Sequence, residues 1–140
     1  MMSPEQPVAL RVLLGFLKAG RVLDGGSSVL LLGTLALVWA PQAPLPMAAL
    51  VAAFVVGLVE KYLAWRVALD VEFFTLLHEQ PGQLAAFDAA LADFLGRKAV
   101  PGPRAMASRW QGARRLLRRQ AVAVAVQAAL VLVALAGRLW

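Results

Sequence analysis

The stretch EKYLAWRVALDVEFF, residues 60–74, gathers five charged and four aromatic side chains within fifteen positions. At ~100° per residue, a helix here places Lys61, Trp65 and Glu72 on one face and sets Arg66 and Asp70 as an i,i+4 pair on another. Leu63, Ala64, Val67, Ala68, Val71 and Phe74 fill an arc that needs cover. Glu60 falls inside that arc, so it must be paired, protonated or turned to a polar cavity. Two kinds of chemistry are open to such a set. One is an ion-coupled path that uses Glu60 and Lys61 at a membrane boundary. The other is acid and base work on a lipid headgroup by Glu60, Asp70, Glu72 and His78. The plainer reading makes these residues interface anchors and ion pairs, and it carries more weight. No Gly-rich phosphate loop, HExxH motif or paired-Asp metal signature accompanies them. Glu60, Lys61, Trp65, Arg66, Asp70 and Glu72 therefore stand as candidate functional or partner-contact residues. No catalytic, cofactor or metal role is assigned to any residue, and His78, before the break at Pro81, reads as a surface or capping residue.

The elements that must position this stretch follow from composition. The chain has 140 residues, of which 61% are hydrophobic and 16% charged, against about 25% charged in ordinary soluble proteins. A domain this small cannot bury so much apolar side chain in water, so lipid is the implied second solvent. The absence of Cys excludes disulfide frameworks and thiolate metal sites, and a single His excludes a bis-histidine haem.

Three apolar runs are visible. Residues 25–40 carry no charge and end at Trp39 and the breaker PQAPLP; residues 47–59 follow and meet Glu60 and Lys61; residues 121–136 contain Gln127 as their one polar side chain. The first two runs reach only ~20–24 Å as strict apolar helix, short of the ~30 Å hydrocarbon layer. Snorkelling by Lys61, with Tyr62 and Trp65 at headgroup level, extends the second to a span. A transmembrane hairpin over residues 25–65 is thus expected, with a re-entrant hairpin as the competing reading. Residues 120–140 make a full span anchored by Arg138 and Trp140. The AVAVAV alternation is overruled by length and by the need to satisfy every backbone group in lipid.

Before the first run, residues 8–23 line up Arg11, Gly15, Lys18 and Val22 on one stripe, with Leu10, Leu13, Leu14, Phe16 and Leu17 elsewhere. Two cations at mid-helix are costly in hydrocarbon, so residues 1–24 are expected to form an amphipathic helix in the plane of the interface. Residues 66–119 are expected to be helical with breaks at Gln80-Pro81-Gly82 and Pro101-Gly102-Pro103. The predicted fold class is an all-α membrane protein: N-terminal amphipathic interfacial helix, transmembrane helical hairpin, cytoplasmic helical segment and a third transmembrane helix.

The net charge of +6 is unevenly placed. Residues 97–119 hold eight basic residues and no acid, and the turn between the first two runs holds neither. Position makes this a topology signal rather than a nucleic-acid signature, and no nucleic-acid partner is expected. The N-terminus and residues 66–119 are expected in the cytoplasm and the C-terminus in the periplasm, with the bacterial inner membrane as the compartment and no cleaved leader. Arg114, Arg115, Arg118 and Arg119 line one side of the entering helix as expected contacts for anionic lipid. Small residues at spacing four, Ala49, Ala53 and Gly57 on one span and Ala125 and Ala129 on another, are expected to pack helices. With no catalytic motif, the expected function is a non-catalytic accessory, assembly or scaffold subunit of a membrane complex, with membrane lipids and other subunits, or a second copy, as partners and no cofactor. A small oligomeric transporter or channel-like protein using Glu60 and Lys61 is the alternative; an enzyme acting on lipid headgroups ranks third.

Overall fold

A computed structural model describes residues 6–41, 43–96 and 106–139. Helix α1 spans Gln6–Val38, α2 spans Pro44–Glu79, α3 spans Leu84–Phe94 and α4 spans Met106–Ala136, with a short 3₁₀ turn at Pro81–Gln83; no strand occurs among the described residues. The protein is an all-α membrane protein with three candidate transmembrane helices, Val8–Val38, Pro44–Leu76 and Ser108–Ala136.

The three long helices form one bundle in which α2 runs against both α1 and α4. Its seam has a seven-residue period. Leu13, Gly20, Ser27 and Thr34 face inward from α1; Pro46, Ala53, Glu60, Val67 and Phe74 from α2; Ala113, Gln120, Gln127 and Ala134 from α4. Each set repeats at i+7, the spacing that keeps one stripe toward its neighbours in left-handed packing. Ala49, Ala53 and Gly57 all lie on the buried side of α2, and a Cβ added at Gly57 would fall 2.6 Å from Gln127 Nε2. The backbone of α2 approaches α4 closely because Gly57 has no side chain.

Proline and glycine fix the ends. Pro44 and Pro46 open α2, where a missing N–H costs nothing, and Gln80 closes it by donating its N–H to Leu76 O at 2.8 Å. Gly96, at φ +61°, ends α3 in the left-handed conformation that glycine adopts freely. At the other end of the bundle Gly137 lies against Pro46, bringing the end of α4 to the start of α2.

One element departs from expectation. Residues 8–23 do not lie apart in the interface; they continue unbroken into the first span, and α1 is a single helix of 33 residues. The reason is the seam: Leu10, Leu13, Leu14 and Leu17 are buried with Val67, Val71, Phe73, Phe74 and Ala113, while Arg11 and Lys18 point outward. Burying four leucines stabilises the straight course by several kcal/mol at ~25 cal/mol per Å². Each arm of the hairpin is now ~45–55 Å long, which removes the shortness that motivated a re-entrant reading. The AVAVAV stretch is helical and α4 runs unbroken through it. The Pro101-Gly102-Pro103 loop, Arg97, Lys98, Arg104 and Trp140 lie outside the described residues.

Candidate functional site: polar layers in the bundle seam

The polar side chains of the seam meet in layers one heptad apart. In the first, Glu60 is wholly buried; Gln120 Nε2 donates to Glu60 Oε1 at 2.8 Å and to Gly20 O at 3.0 Å. Gly20 belongs here for a steric reason, since a Cβ would sit 3.0 Å from Gln120 Oε1. Lys61, beside Glu60, swings its ammonium across to α1. It donates to the Asp24 carboxylate, to Asp24 O at 2.8 Å and to Ser28 Oγ at 2.7 Å, and its Nζ lies 3.2 Å from Glu60 Oε2. Ser28 in turn donates to Asp24 O at 2.8 Å. Seven residues along, Ser27 Oγ donates to Gln127 Oε1 at 2.8 Å and Gln127 Nε2 donates to Ser27 O at 3.3 Å. Thr34, seven further, donates to Leu30 O of its own helix.

Polar groups removed from water are costly unless they bond one another, and a buried charge more so. Here the negative charge of Glu60 meets an amide N–H and an ammonium, and that ammonium meets a second carboxylate. The arrangement ties α1, α2 and α4 together at one level, at the charged end of the apolar runs. Glu60 Oε2 faces the Lys61 ammonium as an ion pair, while Gln120 Oε1 accepts no hydrogen bond, so the layer retains one open acceptor among the described residues.

Beyond that layer, away from the apolar runs, a second cluster holds α3. Arg109 Nη2 donates to Asp88 Oδ2 at 2.7 Å, and its guanidinium stacks 4.8 Å from the Phe73 ring centroid. Phe73 also meets Phe74 and Phe87, at 5.1 and 4.8 Å. Arg11 Nε donates to His78 Nε2 at 3.3 Å.

The residues singled out from sequence fall into separate environments. Glu60 is paired inside the seam. Lys61, Trp65 and Glu72 share one face, and together they line a groove between α1 and α2. Arg66 is exposed and Asp70 half-buried; at their i,i+4 spacing the charges interact but do not close to a salt bridge. Arg114, Arg115, Arg118 and Arg119 are all exposed on α4. Ala125 and Ala129 face outward, so the α4 surface that packs within this chain is instead Ala113, Gln120, Ala123, Gln127 and Ala134. Gln127 makes the interhelical hydrogen bond expected of a lone amide in a span.

Sequence reasoning missed Asp24, Ser27, Ser28 and Gln120. A signal was present: Ser27 and Thr34 are seven apart, as are Gln120 and Gln127, and seven residues return a helix to nearly the same face. No protein-family model, curated protein or solved structure matches the chain.

Proposed function

We propose that this chain is a non-catalytic accessory, assembly or scaffold subunit of a larger membrane complex. The observation that carries the reading lies beyond the polar layer, where the bundle continues for ~20 Å and turns large apolar side chains outward. Val8, Val12 and Phe16 on α1, Leu69 on α2, and Phe94 on α3, 83% exposed, are among them. Apolar surface at this density on a part that extends past a ~30 Å hydrocarbon layer marks a place where another protein packs.

The seam supports the same reading from inside. Glu60, Lys61, Gln120 and Gln127 bond to their neighbours in the bundle, which suits a rigid docking element. The outward Ala125 and Ala129 offer a close-packing face to a partner helix or a second copy. The Lys and Arg distribution favours the bacterial inner membrane, with the N-terminus cytoplasmic and the C-terminus periplasmic, and puts Arg114, Arg115, Arg118 and Arg119 against anionic headgroups.

Extraction from the native membrane in mild detergent, followed by mass measurement, tests the proposal. A stoichiometric co-purifying membrane subunit is the expected result. A lone monomer with no companion overturns it.

A further inference from the structure

A groove of about 700 Å³ runs between α1 and α2, lined by residues of those two helices alone. It begins at the Asp24–Lys61 pair and follows α2 to Glu72, eleven residues or ~16 Å further on. Its floor is apolar and low, formed by Leu17, Gly20, Val67 and Val71 with the small Ala64 and Ala68 alongside. Trp65, half exposed, stands at its edge, at the level where tryptophan favours the membrane interface.

The charges along this groove are not equivalent. Lys61 is already surrounded by oxygens of Asp24, Ser28 and Glu60. Arg21 and Glu72 also line the groove, both are exposed, and neither makes an ion pair among the described residues. The two helices are antiparallel, and side chains lean toward the N-terminus of their own helix. Arg21 therefore leans along the groove toward Glu72, and Glu72 leans back toward Arg21. Gly20 packs level with Val67, so the Arg21 and Glu72 backbones are ~9 Å apart along the axis on opposite walls, and a small group lying between them would need a negative and a positive charge in that order.

We infer that this groove seats the headgroup of a zwitterionic phospholipid, phosphatidylethanolamine, with its phosphate on Arg21, its ammonium on Glu72 and its glycerol end at Trp65. Guanidinium and phosphate oxygens form charge-assisted, often bidentate hydrogen bonds, and a primary ammonium has three N–H donors for a carboxylate. The groove is open on its outer side, as an amphiphile requires if its acyl chains are to rise along Leu58 and Val29 on the lipid-facing side of the spans. A wholly anionic headgroup would satisfy Arg21 and leave Glu72 facing like charge.

The full chain reconstituted in nanodiscs of equal phosphatidylethanolamine and phosphatidylglycerol, then re-extracted and weighed by native mass spectrometry, tests the inference. The wild type is expected to retain one phosphatidylethanolamine in preference to phosphatidylglycerol. Arg21→Gln should lower retention of either lipid about tenfold, the loss of one charge-assisted contact. Glu72→Gln should abolish the preference while retention persists. Both positions are exposed, so unchanged circular dichroism will show that the variants fold. Retention equal in the wild type and both variants, or a preference for phosphatidylglycerol in the wild type, overturns it. The result is independent of whether a partner subunit co-purifies.

Discussion

Gln120 and Glu60 meet across the α2–α4 contact at 2.8 Å, an amide N–H on a carboxylate that no solvent reaches. Removing the carboxylate takes one acceptor from the Gln120 amide, which keeps its hydrogen bond to Gly20 O, and deprives Lys61 of one of its two anions. Glu60→Ala is expected to destabilise the bundle by about 1–3 kcal/mol, the cost of leaving a buried hydrogen-bonding group without its partner, since Lys61 keeps Asp24. Glu60→Gln keeps an acceptor for Gln120 and should cost clearly less. Unfolding in mixed micelles with increasing dodecyl sulfate, followed by circular dichroism, ranks the two.

The Ser27–Gln127 layer lends itself to a double-mutant cycle. Ser27→Ala, Gln127→Leu and the pair together are expected to give a coupling energy of about 0.6–1.7 kcal/mol, the range for interhelical hydrogen bonds in membranes. A coupling indistinguishable from zero would mean that packing alone holds this level.

Two glycines should respond in opposite ways to the same substitution. Gly57→Ala forces a methyl group toward Leu31 and to within 2.6 Å of Gln127 Nε2, so it should loosen α2 from α4 and lower thermal stability. Gly33→Ala meets nothing within 4 Å and adds helix propensity, with an expected gain of up to about 1 kcal/mol. Thermal melts of the two variants in the same detergent decide it.

Helix α3 depends on few contacts outside its own turn, chiefly Phe87 on Phe73 and Asp88 on Arg109. Arg109→Gln removes the ion pair and the ring stacking together. Hydrogen exchange should then accelerate across Leu84–Phe94 by about tenfold and stay unchanged in the apolar halves of α1 and α2. Uniform acceleration would show that Arg109 supports the whole bundle instead.

The three spans were legible because uncharged runs of this length have few alternatives, and the end of α2 was legible from Pro81; its start lies at Pro44, inside the stretch read as a breaker, because a proline in the first turn gives up no helix hydrogen bond. The course of α1 was not. Arg11 and Lys18 read as charges too costly for a crossing helix, yet both sit on its outer side while Leu10, Leu13, Leu14 and Leu17 fill the seam. The partners of Lys61 were hidden for a related reason: Asp24 lies just outside the uncharged run and thirty-seven positions from Lys61, and only the antiparallel packing of α1 and α2 brings them together. Glu60 was visible as a buried acid on a wheel, but its partner Gln120 lies sixty residues away and only the fold brings it near.

A strict seven-residue repeat of small and apolar side chains is nearly blind to its own origin. If α4 slid by one heptad, ~10 Å, toward the charged end of the bundle, the inward face would stay inward and most alanines would find alanines or leucines. Gln127 would then reach the level of Glu60, Ser27 would look across at Ala134, and Gln120 would be pressed between Leu13 and Val67. The polar layers thus break a translational degeneracy that the apolar seam leaves open, and they select one alignment when α4 docks against the hairpin.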